Sequence, residues 1–281
     1  MRIRVAHTTR YLYDAPVRWM LQALRMTPQP HEGQHLVAWR LETDADVRLR
    51  AEHDVFGNIV HMLQVERAPH ELAVQVEGEV ETFDTAGVVR GAVERLPPRL
   101  YLRETGLTAA APEIRAFAQD ATREAGPDLL SRLHLLMIAI RREVAFAPGV
   151  TDTKTTAAQA LALRRGVCQD MAHLFIAAAR SLGAPARYVS GHLVRTDTEA
   201  QQAAHAWAEA HIPDLGWVAF DPANGVCATE GHLRVAIGLD YAASAPVRGA
   251  VYGGGTERLS VSLRVADAAK VRSQAQAQSQ A

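Results

Sequence analysis

Residues 166–173 have the sequence Gly-Val-Cys-Gln-Asp-Met-Ala-His, in which a cysteine follows a glycine and opens a helical pattern. Apolar residues recur after it at helical spacing: Ala172, Phe175, Ala179 and Leu182. Gly183 then supplies a stop signal. Cys168 is therefore predicted in the first turn of an amphipathic helix, where free backbone N–H groups and the positive end of the helix dipole favour a thiolate.

The two cysteines of the chain, Cys168 and Cys227, differ in their surroundings. Cys227 lies in a loop-like stretch with no capped helix after it, which predicts a bystander. For Cys168 a small buried residue is the alternative explanation, because free cysteines are among the most buried residues, and position alone leaves both open. Two cysteines cannot form a disulfide framework and no C-x-x-C zinc pair is present, so a reducing, cytoplasmic location is expected.

A thiolate nucleophile needs a base nearby and a group that orients the base. Residues 205–212 predict a strand with one polar or aromatic face, which carries His205, Trp207, Glu209 and His211. A second predicted strand over 216–221 ends at Asp221, before a proline. A short turn joins the two strands, so antiparallel pairing can bring Asp221 beside His205. A helix that begins at Cys168 and packs on this hairpin completes a Cys–His–Asp arrangement.

Three sequence blocks resemble the transglutaminase-like superfamily of papain-like thiol enzymes, specifically its bacterial branch. The blocks occur in the expected order at 166–170, 205–207 and 220–224. The likeness extends to residues 188–193, where the family more usually has a tyrosine in the place of His192, and to residues 240–255, 7–13 and 54–58. It therefore covers nearly the whole chain except the tail.

The resemblance implies Cys168 as nucleophile, His205 as base and Asp221 as the residue that orients the base. It further implies acyl transfer through a thioester, and hydrolysis of a peptide or isopeptide bond is the expected reaction. Three residues near these blocks are candidates for the substrate cleft: Gln169, His192 and Trp207. Two alternatives stay open: a transglutaminase that uses an amine acceptor, and a non-catalytic peptide-binding or scaffold protein of the same fold.

The hydrophobic periodicity changes near residue 97. Residues 2–84 alternate polar and apolar with a period of two, which predicts six or so half-buried strands in an antiparallel β-sandwich-like domain over residues 1–96. A proline-containing linker over 97–112 leads to helical patterns and then to further strands, the order typical of an α+β fold. We predict a papain-like, transglutaminase-like catalytic domain over 113–268 and a disordered tail over 269–281.

Composition excludes several classes of partner. Among 281 residues, 30 Lys and Arg stand against 31 Asp and Glu, for a net charge of −1, which argues against nucleic-acid binding. The longest strongly apolar stretch, Leu133–Ile140, is far shorter than the ~20 residues of a membrane span. The N-terminal residues alternate and predict a strand instead of a signal peptide.

The histidines of the chain show no metal-binding motif. None of the 12 histidines belongs to an H-E-x-x-H motif or to facing Cys/His pairs, so no metal or cofactor is expected. His173 is expected to pack in the core. The expected partner is a peptide or protein substrate, and the sequence leaves the oligomeric state open.

Overall fold

A computed structural model describes residues 1–66, 70–195, 198, 200–201 and 204–269, and its fold is α+β, as predicted. The first strands are β1 (Arg2–Tyr13), β2 (Val17–Thr27), β3 (Gln34–Thr43), β4 (Ala51–His53), β5 (Ile59–Glu66), β6 (Glu71–Thr82) and β7 (Val88–Val89). Then come α1 (Pro112–Ala121), α2 (Leu129–Glu143), β8 (Ala145–Phe146), α3 (Ala157–Leu163), β9 (Arg165–Gly166) and α4 (Cys168–Ser181). The last elements are β10 (Ala186–Leu193), β11 (Ala200–Gln201), β12 (His205–Ile212), β13 (Gly216–Asp221), β14 (Val226–Cys227), β15 (His232–Gly238), α5 (Tyr241–Ser244), β16 (Val247–Gly253) and β17 (Glu257–Asp267). Short 3-10 turns lie at Pro98–Leu102 and Arg123–Ala125.

Two antiparallel sheets form the N-terminal region. One has the order β11-β17-β1-β6-β3 and the other β16-β2-β5-β4. Their inward faces meet in one apolar cluster that takes Tyr11 and Val74 from the first sheet, and Met20 and Leu63 from the second. The alternation along β1, β2, β5 and β6 therefore has its physical cause in burial of one face of each of these strands, which is the packing of a β-sandwich.

The C-terminal strands β16 and β17 pair with β2 and β1, the strands of the N-terminal sheets. The sequence pattern predicts a strand over 259–265 and assigns it to the second domain, residues 113–268. Alternation of side chains identifies a strand without specifying its partner, which explains the difference. The predicted tail from residue 270 onward lies outside the described residues.

The half of the fold predicted to be transglutaminase-like is built on another sheet, in which the strands have the order β14-β13-β12-β10-β15. Strand β7 pairs with β13 in the same sheet. Helix α4 packs against its face through small side chains, since Ala206, Ala208 and Ala210 of β12 join Ala178 and Ala179 of α4 in one cluster. Small residues on both elements let the helix backbone approach the sheet closely. Helices α1, α2 and α3 cover the opposite side of α4.

Helix α4 differs from the predicted amphipathic helix, because all residues from Asp170 to Arg180 are buried. Several of its buried polar residues are hydrogen bonded inside the protein. Arg180, for example, donates to the carbonyl oxygens of Tyr101, Ala186 and Leu239. The helix ends where expected, at Ser181, with Gly183 at φ 83°. From the sequence, the Thr155-Thr156 pair predicts an N-cap and Gly166 predicts the end of a short helix. Helix α3 does begin after Thr156, but it ends at Leu163, because Arg164 adopts a left-handed conformation at φ 50°.

A chain of buried ion pairs links β12 to β10 and β15. Glu209 is fully buried, and its carboxylate accepts from Arg187 Nε at 2.6 Å and from Arg234 Nε at 2.7 Å. Arg187 also donates to Glu94 at 2.7 Å and lies 3.7 Å over the Trp217 ring. Burial raises the pKa of Glu209, but the two arginines outweigh it and lower the pKa to about 2. The charge is therefore held in place by arginines from β10, the neighbour of β12, and from β15, the next strand beyond β10.

We expect Glu209→Ala to lower the free energy of unfolding by about 3–5 kcal/mol, because it leaves two guanidinium groups without their shared partner in a buried site. Urea unfolding followed by circular dichroism measures the change. Glu71→Ala is the matched control, because Glu71 pairs with Arg10 at an exposed position and its loss should cost under about 1 kcal/mol. Equal losses in the two variants would contradict the expectation.

The described residues contain no helix long and apolar enough to cross a membrane.

Candidate active site

Cys168 is the first residue of α4, and the preceding chain is held tightly. Strand β9 pairs in parallel with β8, which brings Gly166 next to Phe146. Asp170 Oδ2 then accepts hydrogen bonds from the Val167 backbone N–H and from the Thr151 hydroxyl, both at 2.7 Å. A Cβ on Gly166 would lie 2.7 Å from that same oxygen, so only glycine fits. The glycine and the acidic residue of the first motif together fix the helix start that presents the thiol.

His205 opens β12 and lies between Cys168 and Asp221. Its Nε2 atom is 2.7 Å from Asp221 Oδ2, and Cys168 lies near enough to raise its pKa. Because Nε2 is engaged by the carboxylate, Nδ1 is the ring atom left for the sulfur. Burial by itself lowers the pKa of His205, but the hydrogen bonds to Asp221 and Cys168 and the charge of Asp221 reverse this and raise the pKa to about 10. The geometry therefore favours an imidazolium beside the sulfur.

Asp221 ends β13 and is fully buried, and both of its oxygens accept hydrogen bonds. Oδ1 accepts from the backbone N–H groups of Ala223 and Asn224 at 3.1 and 3.2 Å. Oδ2 accepts from Asn224 Nδ2 at 2.6 Å as well as from His205. Burial raises the pKa of Asp221, but hydrogen bonds from His205 and His232 outweigh it and hold the pKa well below its usual range. The carboxylate therefore stays ionised beside the imidazole.

His232, which sequence reasoning missed, makes a second imidazole contact with the same carboxylate. It is the first residue of β15, and its Nε2 lies 3.1 Å from Asp221 Oδ2. No short motif surrounds it, and the sequence offered no signal for its role. Within the described residues, His205, Asp221 and His232 are also the one set whose ligand atoms lie close enough together, within 4.8 Å, to hold a metal ion. Both contacts to Oδ2 have hydrogen-bond length, so hydrogen bonds account for the arrangement.

The cleft candidates Trp207 and Gln169 take different places. Trp207 is 1% exposed, and its ring lies 6.0 Å from the His205 ring and 5.3 Å from the His232 ring. It therefore supports both imidazoles from within the core. Gln169 is half-buried beside Cys168, and its side chain points to the Asp152 carbonyl at 3.4 Å. A role of either residue in substrate binding stays a prediction.

His192, the third cleft candidate, is buried against the N-terminal sheets instead of open to solvent. It lines a small pocket together with His7, whose ring lies 6.1 Å away. Burial lowers the pKa of His192 to about 3, so the ring is neutral. The residue before His192 is Gly191, and only glycine fits there. A Cβ at that position would lie 2.2 Å from the Leu233 carbonyl oxygen and 2.5 Å from the Trp207 ring. A substrate role for His192 stays a prediction.

Two further sequence expectations concern residues outside this group. His173 is fully buried, and its Nε2 accepts from the Tyr241 backbone N–H at 3.0 Å, so the prediction that it packs in the core is confirmed. Cys227 is unbridged, and its sulfur lies 3.4 Å from His134 Nε2. Burial raises the pKa of the Cys227 thiol, which disfavours the thiolate there.

Comparisons with known proteins agree with this architecture. Residues 115–222 match the transglutaminase-like superfamily model, and residues 3–81 match the model of the bacterial transglutaminase-like N-terminal region. An uncharacterized protein of Mycobacterium leprae is 30% identical over 94% of this chain and 98% of its own length. The chain belongs to the transglutaminase-like superfamily.

Other relatives of this transglutaminase-like protein share its full extent. An uncharacterized protein of Mycobacterium tuberculosis H37Rv is 29% identical over 89% of this chain and 88% of its own. Among solved structures, a proposed cysteine protease from Cytophaga hutchinsonii superposes with a TM-score of 0.76 at 20% identity, and covers 95% of this chain and 90% of its own. That similarity includes the N-terminal sheets as well as the transglutaminase-like core, so the two regions form one shared fold.

Proposed function

We propose that this protein is a thiol-dependent acyl-transfer enzyme that hydrolyses peptide or isopeptide bonds through an acyl-thioester on Cys168. The observation that supports the proposal most is the position of His205, which lies 2.7 Å from the buried Asp221 carboxylate and near enough to Cys168 for the cysteine to raise its pKa. A base held between a thiol and an orienting carboxylate is the arrangement that nucleophilic catalysis requires.

In the first half-reaction the Cys168 thiolate attacks the carbonyl carbon of the substrate, and the carbonyl electron pair moves to oxygen. Backbone N–H groups in the first turn of α4, which have no partner within the helix, can stabilise that oxyanion. The carbon–nitrogen bond then breaks, and the leaving amine takes the proton of the His205 imidazolium. The products of this step are a free amine and a thioester on Cys168.

In the second half-reaction His205 accepts a proton from water, and the hydroxide formed attacks the thioester carbon. The carbon–sulfur bond breaks, which releases a carboxylic acid and restores the thiolate–imidazolium pair. Asp221 stays ionised throughout and stabilises the imidazolium. A cytoplasmic location, in which both cysteines stay reduced, remains part of the proposal.

The first test is the reactivity of Cys168 toward iodoacetamide. In the Cys227→Ser variant at pH 6, we expect alkylation of Cys168 to be at least about tenfold faster than that of free cysteine, because the paired imidazolium stabilises the thiolate where a free thiol of pKa ~8.5 is protonated. Mass spectrometry of the modified peptide measures the rate. Alkylation no faster than that of free cysteine would contradict the proposal and favour a non-catalytic scaffold.

The acceptor is identified by a second experiment. The protein is incubated with a peptide library, quenched in acid, and the acyl group on Cys168 is determined by mass spectrometry. A parallel incubation supplies a glutamine-containing peptide and a labelled primary amine. Release of free acid without amine incorporation supports a hydrolase, whereas incorporation of the label identifies a transglutaminase.

A further inference from the structure

Asp221 has two imidazole neighbours, and the function proposed above uses only one of them. The second, His232, is 8% exposed and comes from β15, the strand on the far side of β10 from β12. Its Nε2 lies 3.1 Å from Asp221 Oδ2, the same oxygen that His205 contacts. A buried histidine that reaches across the sheet to the orienting carboxylate calls for an explanation beyond packing.

The hydrogen bonds of His232 determine its protonation state. The backbone N–H of Thr229 donates to His232 Nδ1 at 3.0 Å. A backbone N–H can only donate, so Nδ1 has no proton and the ring is the neutral Nε2–H tautomer. The His232 backbone N–H in turn donates to the Thr229 carbonyl at 3.0 Å, so both the ring and the backbone of His232 are hydrogen bonded to Thr229. His232 therefore presents an N–H donor to Asp221 and adds no charge to the site.

A comparison with the other hydrogen-bond donors to Asp221 shows what the N–H of His232 contributes. Backbone N–H groups hold Oδ1, whereas Oδ2 depends on side chains alone: His205, His232 and Asn224. Asn224 lies in the turn after β13 and is exposed, whereas His232 is buried and fixed in a strand. His232 is thus a buried donor to Oδ2 that comes, like His205, from a strand.

We propose that His232 is a positioning residue whose neutral imidazole donates its Nε2–H to Asp221 and keeps that carboxylate ionised and directed at His205. This inference rests on the proposed function, since it assigns His232 a part in the activation of Cys168 through Asp221 and His205. It adds a fourth residue to the machinery, one that acts without contact with the sulfur.

Replacement of His232 by a residue with a donor and by one without a donor tests the proposal. His232→Gln keeps a neutral N–H donor near the position of Nε2, and His232→Leu removes it. In the Cys227→Ser background at pH 6, we expect His232→Leu to slow iodoacetamide alkylation of Cys168 by about tenfold or more, because a hydrogen bond to a buried charge is lost. His232→Gln should stay within about threefold of the parent. His211→Leu, at the other end of β12, is the matched control and should not change the rate.

A merely structural role would slow both His232 variants alike, and that result overturns the proposal, as does an unchanged rate in both. If His232→Leu fails to fold, nitrogen-15 histidine NMR of the unmutated protein at pH 7 decides instead. The expected spectrum shows His232 as the Nε2–H tautomer with a slowly exchanging ring proton. An Nδ1–H tautomer or a doubly protonated ring overturns the proposal. Slow alkylation of Cys168 in the parent would instead defeat the proposed function, while the NMR spectrum still reports the His232–Asp221 bond.

Discussion

Replacing Cys168 by alanine is expected to reduce hydrolysis to the uncatalysed rate, a loss of at least about 10⁴-fold. The reason is that alanine at the first residue of α4 leaves His205 and Asp221 in place but removes the atom that forms the thioester. Release of fluorescence from an internally quenched peptide library measures the change. The fold should be retained, because the side chain of Cys168 is only partly buried and the helix start is fixed by Asp170.

Cys227→Ser is the matched control for this prediction. Its sulfur contacts His134 and lies in β14, and serine there should leave turnover within about twofold, as is usual for substitutions outside a functional site. The opposite pattern, with Cys227→Ser inactive and Cys168→Ala active, would overturn the assignment of the nucleophile.

Asp221→Asn is expected to lower turnover by about 10³–10⁴-fold, the size of effect seen when the orienting carboxylate of a triad becomes an amide. An asparagine has to direct its NH₂ group at donors on one side of the side chain, because both oxygens of Asp221 accept hydrogen bonds. The free energy of unfolding should fall by only about 1–3 kcal/mol, so the variant still folds. Turnover of the peptide library and urea unfolding, measured side by side, separate the two effects.

The pH profile of the same variant gives an independent check. The Asp221 hydrogen bond and charge raise the pKa of His205 to about 10, against the effect of burial. Without that charge, burial dominates and the pKa of His205 falls, so the imidazolium that protonates the leaving amine is lost at lower pH. The alkaline limb of kcat/KM should therefore move to lower pH in Asp221→Asn, by more than about one pH unit. Asp128→Asn, at the exposed N-cap of α2, should leave the limb unchanged.

Much of the candidate site was predictable because its signals are local. A glycine before a cysteine at a helix start, a strand that opens with histidine, and a strand that ends in Asp-Pro each occupy a few consecutive residues. Short-range rules for helix starts and hairpins apply to such segments, and the hairpin rule placed Asp221 next to His205, where the structure has them 2.7 Å apart.

What was missed depends on partners far apart in the chain. His232 contacts Asp221 only because β15 lies in the same sheet, and the buried charge of Glu209 is paired only because Arg187 of β10 and Arg234 of β15 reach it. Neither contact leaves a repeating pattern in the sequence. Likewise, the alternation in the sequence of β17 predicts a strand but does not identify β1 as its partner. Strand order is decided by the fit of whole sheets, which single-segment periodicity does not contain.

The return of β16 and β17 to the first sheets has a consequence for how this architecture can evolve. Because β17 lies hydrogen bonded along β1, and β16 along β2, the sandwich is built from segments on both sides of the transglutaminase-like core. One continuous gene segment that encodes residues 1–96 therefore does not encode the whole sandwich. A recombination event that delivers only residues 1–96 would leave two sheet edges without their neighbours, open to association with other chains. Transfer of the sandwich with its edges paired requires transfer of the core that lies between its segments.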